Sequence, residues 1–327
     1  MTAAMTTQRE AIHDALCSAM RDDERVVLIG EDIGVYGGAF GVSRGMLEEF
    51  GPRRVIQTPI SENGFVGAAV GAAVAGLRPV VEIMFADFVT CCMDALVNHA
   101  AKFRYMYDGQ VTVPMVLRTP MGRRMGYGAT HSQSPEAFFL HVPGLKVVAP
   151  ATPADASELL RASIDDPDPV LFFEHKLLYD AKGPAGNATP RQIGSARVVR
   201  EGGSVTLISY SRGTSLCLEA AETLSAAGIG TEVIDLGTLA PLDLATCLKS
   251  VERTGRCVVV SEDPLTGGVA SRVAVDIMEH AFAFLMAPVA RVSAADVPVP
   301  ASCDMEELVH VSVEQIVQRA RQIVEEY

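Results

Sequence analysis

The chain has 327 residues, 49% hydrophobic and 20% charged. That is apolar material for roughly two domains of about 150 residues each, and it excludes a disordered or coiled-coil protein. A net charge of −13, with no Lys/Arg cluster beyond pairs such as Arg53-Arg54 and Arg123-Arg124, excludes the basic footprint of sequence-blind nucleic-acid binding. The most apolar stretch, Gly64 to Leu77, has 14 residues and stops at Arg78-Pro79. A membrane span needs about 20, so no membrane association is expected. Seven cysteines, an odd number without a CxxC, read as buried reduced thiols of a cytoplasmic protein.

Along the chain, strands and helices alternate. Thr7-Gln8-Arg9-Glu10 has the spacing of a capping box and opens a helix to about Met20. Val26–Ile29 is a short buried strand that ends at Gly30-Glu31-Asp32, followed by a Gly-rich loop from Gly34 to Gly45. Val55–Gln57 is a strand, and a helix runs from Ser61 to Ala75 with Gly64, Gly67, Ala68, Gly71, Ala72 and Ala75 offering a face that another backbone can approach. Pro79–Met84 is a strand and Phe88 to Tyr107 a long helix. Strand Met115–Arg118, a loop through Ser134, strand Lys146–Ala149, helix Ala154–Ile164 and strand Val170–Phe173 follow. Residues 174–194, rich in Gly, Pro, Asn and Lys, break the rhythm and read as a linker. The alternation then resumes with strands at Val205–Ser209, Glu232–Leu236, Cys257–Val260 and Val289–Val292. The helices between and after them are Thr214–Ala227, Leu242–Val251, Val269–Ala281 and Val313–Glu326. Two such runs predict two α/β domains with largely parallel sheets.

Ligands of open α/β sheets sit at the carboxyl ends of strands, and four segments occupy such places. Gly30-Glu31-Asp32 reads either as an acidic turn facing a ligand or as a solvated turn; its loop is not a clean GxGxxG, so a dinucleotide site has little support. Glu62, in Pro59-Ile60-Ser61-Glu62-Asn63-Gly64, falls in the first turn of an apolar helix. It is either a carboxylate favoured by the helix N-terminus or a partly buried acid of raised pKa that exchanges a proton with a ligand. In Glu82–Phe88 an aromatic either stacks on a planar ligand ring or belongs to the core. His131, in the loop Gly126–Gln133, is a candidate proton donor. HExxH, GxSxG and P-loop sequences are absent, so a hydrolase or nucleotide triphosphatase has no anchor.

Taken in order, LIGEDIG, TPISENGFVGAAVGAAVAGLRPVVE, THSQSPEAFFLHVPGLKVVAP and ADVPVP resemble the β subunit of the thiamine-diphosphate-dependent E1 component of 2-oxoacid dehydrogenase complexes. The resemblance runs from Thr7 to the C-terminus. EIMFADFVTCCMDALVNHAAKFRYMYDG and FFEHKLLYD are most similar to acetoin dehydrogenase β subunits, with branched-chain and pyruvate relatives next. It implies an α/β fold of two domains. Residues 1–190, including a linker from 174, form a pyrimidine-type thiamine-diphosphate-binding domain with a parallel sheet, and residues 191–327 a transketolase-like C-terminal domain. It implies that Glu62 bonds N1′ of the aminopyrimidine and exchanges the proton through which the cofactor's C2 carbon becomes a nucleophile. By the same resemblance Phe88 stacks on the pyrimidine, Met84 lies beside it, Glu31 supports the pocket, and His131 handles substrate or the incoming lipoyl group. A potassium ion is implied at the backbone carbonyls of Met115, Ser163, Asp166 and Asp168.

The cofactor's diphosphate takes a divalent metal, in this superfamily usually through GDG and an Asn about 30 residues later. This chain has no GDG and only Asn63, Asn98 and Asn187. The expectation is that an α subunit holds Mg2+ in an α2β2 heterotetramer with the cofactor at the α/β interface, and that the acyl group leaves on the lipoyl arm of an E2 subunit. Two departures stand out. The loop Arg123-Arg124-Met125-Gly126-Tyr127 is more basic than in relatives, and Met286 stands where many relatives carry an acid that docks E2. They keep open a split transketolase-like enzyme that delivers a two-carbon unit to a carrier protein; a non-catalytic β-like structural subunit is the other alternative.

Overall fold

The computed structural model describes residues 5–327. Contacts divide the chain into two units: residues up to Met121 with Phe138–Ile193, and Gly122–Ala137 with Gly194–Tyr327.

The first unit is built on a parallel sheet whose strands run in the order Lys146–Val148, Val170–His175, Val116–Met121, Arg78–Glu82, Val26–Glu31 and Val55–Thr58. Val26–Glu31, Val116–Met121 and Val170–His175 are buried at every position. Strands covered on both faces read as continuous apolar runs, which is how they showed in the sequence. The helices Gln8–Asp22 and Pro153–Asp165 pack together, joining Ile12, Leu16 and Met20 to Leu159, Leu160 and Ile164 in one core. Both start on sequence signals. Thr7 and Glu10 form a reciprocal capping box, and Thr152 caps the second helix ahead of Pro153.

The expected long helix from Phe88 to Tyr107 is broken. Ala86–Cys92 is a 3₁₀ segment, Ala95–Ala100 a π-helical turn, and only Ala101–Met106 is α-helical. The Thr90 hydroxyl donates to the Asp87 carbonyl at 2.8 Å and the Cys92 thiol to the Val89 carbonyl at 3.2 Å. These side chains take carbonyls that a regular helix reserves for its own N–H groups. The stretch from residue 174 also differs from a slack linker. Its strand continues through His175, and Lys182–Pro184 pairs antiparallel with Met5–Thr7. Asn187 is held by Glu158 and Asp155, and buried Arg191 pairs with Asp155.

The second unit carries a five-stranded sheet in the order Ala290–Ala294, Cys257–Pro264, Val205–Ser209, Thr231–Asp235 and Arg197–Arg200. All pairs are parallel except the last, an edge strand that the sequence pattern did not mark because its residues are half-buried or exposed. The helices Ser211–Ala226 and Val313–Glu325 pack on one another and into the same core as the central strands. Among the cysteines, Cys17, Cys92, Cys217, Cys247 and Cys257 are buried free thiols, whereas Cys91 and Cys303 are exposed, contrary to the expectation that all are buried. Among the described residues, no helix is long and apolar enough to cross a membrane.

Candidate functional site

Three neighbouring strands of the first unit end together. Glu31 closes its strand opposite Thr58, and Gly30 lies opposite both Gln57 and Glu82. Glu31 is 2% exposed, and neither carboxylate oxygen has a hydrogen-bond partner of normal geometry. The nearby Ser61 N–H favours its ionised form, but burial and then the Glu62 charge dominate and push its pKa up to about 7. Glu31 is therefore the acid that burial pushes toward the neutral form. Glu62 is half-buried in the first turn of the Glu62–Val74 helix. Ser61 does not cap that helix; its hydroxyl donates to the Pro59 carbonyl at 3.1 Å, leaving the first N–H groups for other partners.

The Glu62–Val74 helix packs against Ala86–Cys92, and the Glu62 charge reaches Cys92. This segment carries Phe88. Its half-buried ring meets Phe85 edge-on at 6.1 Å; Phe85 meets Phe40 at 5.7 Å; and Phe40 stacks on buried Tyr179 at 5.2 Å. Phe88 is thus the accessible end of an aromatic series rooted in the core, a platform with little freedom to turn away. Met84, also half-buried, lies between the strand end and this segment. Glu31, Glu62, Met84 and Phe88 are gathered at one end of one sheet.

Beside them is a charged network that the spacing of motifs did not flag. Arg118 is 1% exposed. It donates two hydrogen bonds to Glu174, at 2.8 and 2.7 Å, and a third to Glu82. The Tyr179 hydroxyl donates to Glu174 at 2.6 Å. Burial alone pulls the Arg118 pKa down, but the carboxylates of Glu174 and Glu82 more than reverse this. Burial likewise pushes Glu82 up, against the pull of Arg118. The Gly-rich loop wraps this network. Gly38 has φ +82°, and a Cβ there would stand 2.6 Å from a Glu82 carboxylate oxygen. A detectable signal did exist: Glu82, Arg118 and Glu174 are charged residues at buried positions of mainly apolar strands.

His131 belongs to the second unit and is half-buried, its ring Nδ1 3.1 Å from the Thr130 hydroxyl. The residues implied for potassium gather at the opposite, amino end of the first sheet. Met115 precedes one strand and its carbonyl accepts the Val170 N–H at 3.0 Å; Ser163, Asp166 and Asp168 lie at the end of Pro153–Asp165 and in the turn before Val170. The Asp166 and Asp168 side chains are taken by Lys146 and Arg104, at 2.7 and 2.6 Å. Among the described residues, no group of three or more His, Cys, Asp or Glu side chains converges on a metal position.

Residues 4–182 match the family model described as transketolase, pyrimidine binding domain, and residues 194–316 that of transketolase, C-terminal domain. Among solved structures, one titled "Split gene transketolase, inactive beta4 tetramer" superimposes with a TM-score of 0.79 at 22% identity, covering 97% of this chain and 98% of that one. A transketolase mutant from Pichia stipitis gives 0.72 at 14%, with 47% of that chain covered. The molecule is a transketolase-type two-domain α/β protein. More similar in sequence is the pyruvate dehydrogenase E1 component subunit beta-2 of Oryza sativa, 44% identical over 96% of this chain and 85% of the relative. The corresponding β subunit of Rickettsia bellii is 43% identical over 97% and 98%, and that of Rhizobium meliloti 42% over 98% and 70%. The chain belongs to the β-subunit family of thiamine-diphosphate-dependent 2-oxoacid dehydrogenase E1 components.

Proposed function

We propose that this chain is the β half of an α2β2 E1 enzyme acting on a small 2-oxoacid, with pyruvate as the first candidate and acetoin as the second. The observation that carries the reading is the buried Glu31 carboxylate, without a hydrogen-bond partner of normal geometry, set against Glu62 at the carboxyl end of the sheet beside the Phe88 platform. An aminopyrimidine offers what such a site lacks: a ring nitrogen that binds a carboxyl proton and a flat face for stacking. Relatives named for pyruvate favour that donor; the stretches around Glu82–Gly109 and Phe172–Asp180 favour acetoin.

Thiamine diphosphate, when bound, supplies a carbon nucleophile that attacks the substrate carbonyl. Glu62 holds the proton exchanged with N1′, and Glu31 keeps the pair from carrying two full charges. Phe88 stacks on the ring and Met84 fills the space beside it. His131 handles protons on substrate or the lipoyl group. The α subunit holds Mg2+ and the diphosphate, since this chain lacks GDG. The carbonyls of Met115, Ser163, Asp166 and Asp168 are the place for K+. Around Glu62 the surface suits a covering partner: Val35, Tyr36 and Ile60 are 87%, 70% and 75% exposed, and a Cβ on Gly67 or Gly71 would meet nothing within 4 Å. At the E2-docking position Met286 is 57% exposed, its sulfur 3.5 Å from Arg256. A lipoyl-bearing E2 or a carrier protein would therefore meet an apolar and basic surface there. The free thiols support a cytoplasmic setting.

The test is co-purification with an α-type subunit, followed by ThDP- and Mg2+-dependent reduction of an artificial electron acceptor. Reduction with pyruvate, acetoin or a branched 2-oxoacid supports the reading and identifies the donor. A ThDP-loaded complex silent with all of them, yet cleaving ketose phosphates, overturns it in favour of two-carbon transfer.

A further inference from the structure

The loop carrying His131 is closed at its neck, where the Gly122 N–H donates to the Gln133 carbonyl at 2.9 Å. Its arm lies against Ala301, which a Cβ on Gly128 would meet at 3.4 Å. Five positions beyond His131, fully buried Glu136 accepts a hydrogen bond from the Tyr210 hydroxyl. Tyr210 follows the central strand Val205–Ser209 and is the N-cap of Ser211–Ala226. Asp263, near the end of the neighbouring strand, accepts the Val269 N–H at 2.6 Å. One oxygen of Glu136 and one of Asp263 are buried without a partner.

We propose that Glu136 is the positioning residue of His131, pinning its loop through Tyr210 to the carboxyl end of the second sheet. This rests on the reading of His131 as the group that handles substrate or lipoyl protons. Glu136 faces Tyr210 from one strand end and Asp263 and Glu262 from the other, while Arg212 pairs with Glu262. A second carboxylate in that company has no cation of its own. Burial first, then the Asp263 charge, push Glu136 up to about 8, against the pull of the Tyr210 hydroxyl; burial pushes Asp263 up to about 6. The folded value lies above the ordinary 4.5, so the stability that the neutral carboxyl contributes is full below 4.5 and is lost as pH rises through about 8, where the ionised group keeps the Tyr210 hydroxyl but is repelled by Asp263 and Glu262.

The experiment uses the reconstituted α/β holoenzyme and compares wild type, Glu136→Gln, Glu136→Ala, Tyr210→Phe, His131→Ala and the double alanine variant. Glu136→Ala should lower kcat by about 10- to 100-fold with little change in KM. On the His131→Ala background it should cost less than about twofold. Glu136→Gln keeps the shape and cannot ionise, so it should retain kcat and lose the alkaline fall near pH 8. Trypsin nicking at Arg123-Arg124, compared at equal pH, should speed up in Glu136→Ala and not in Glu136→Gln. Should the alanine variant fail to fold, Glu136→Gln and Tyr210→Phe decide the matter. An alkaline limb unchanged in both overturns the proposal, as do full kcat in Glu136→Ala or additive losses with His131→Ala. Full turnover in His131→Ala overturns instead the reading beneath it.

Discussion

Two groups of acids lie side by side at the end of the first sheet and are treated in opposite ways. Glu82 and Glu174 are buried and fully engaged: Arg118 bonds both, and Tyr179 bonds Glu174. Glu31 is as deeply buried but has no cation, and its near neighbour of consequence is a second acid, Glu62. A buried charge that has its partners holds the frame. One left without them is costly to bury in its ionised form. The contrast separates a braced acid from an unbraced one at adjoining strand ends.

Removing the exchangeable proton should have the largest effect. Glu62→Gln is expected to reduce turnover by about 10²- to 10⁴-fold while the thermal midpoint of the complex stays put; a midpoint that falls with activity would make Glu62 part of the frame. Arg118→Met should do the reverse. It strands Glu82 and Glu174 and should cost about 3–5 kcal/mol in denaturant unfolding; an unchanged midpoint would deny the network its structural role. Glu31→Gln sharpens the comparison through pH. Because the folded pKa of Glu31 is raised from 4.5 to about 7, its contribution to stability is full below 4.5 and falls away as pH rises to about 7. The amide should therefore lift the apo complex's unfolding midpoint at neutral and higher pH and leave it unchanged in acid, which a pH series of melts would reveal. The smallest effect belongs to Tyr179→Phe, which removes one bond from Glu174 while Arg118 remains, at about 1–2 kcal/mol.

The strand and helix pattern of both units was readable because parallel strands are apolar throughout and the helices carry clear caps, as at Thr7, Thr152 and Ser312. The broken helix after Phe85 was not, since apolar spacing is blind to a hydroxyl or thiol that competes for a carbonyl. The edge strand Arg197–Arg200 escaped because edge residues need not be apolar. At the site, Glu31, Glu62 and Phe88 were legible as residues at strand ends. Which acid burial perturbs was not, because that depends on surroundings contributed by several strands. Glu136 escaped for the same reason: its partner, Tyr210, is 74 positions away.

The short ladder between Met5–Thr7 and Lys182–Pro184 has a further meaning. It clasps the segment before the Gln8–Asp22 helix to the segment that follows the Val170–His175 strand. Fraying of either segment therefore leaves the other as an unpaired edge.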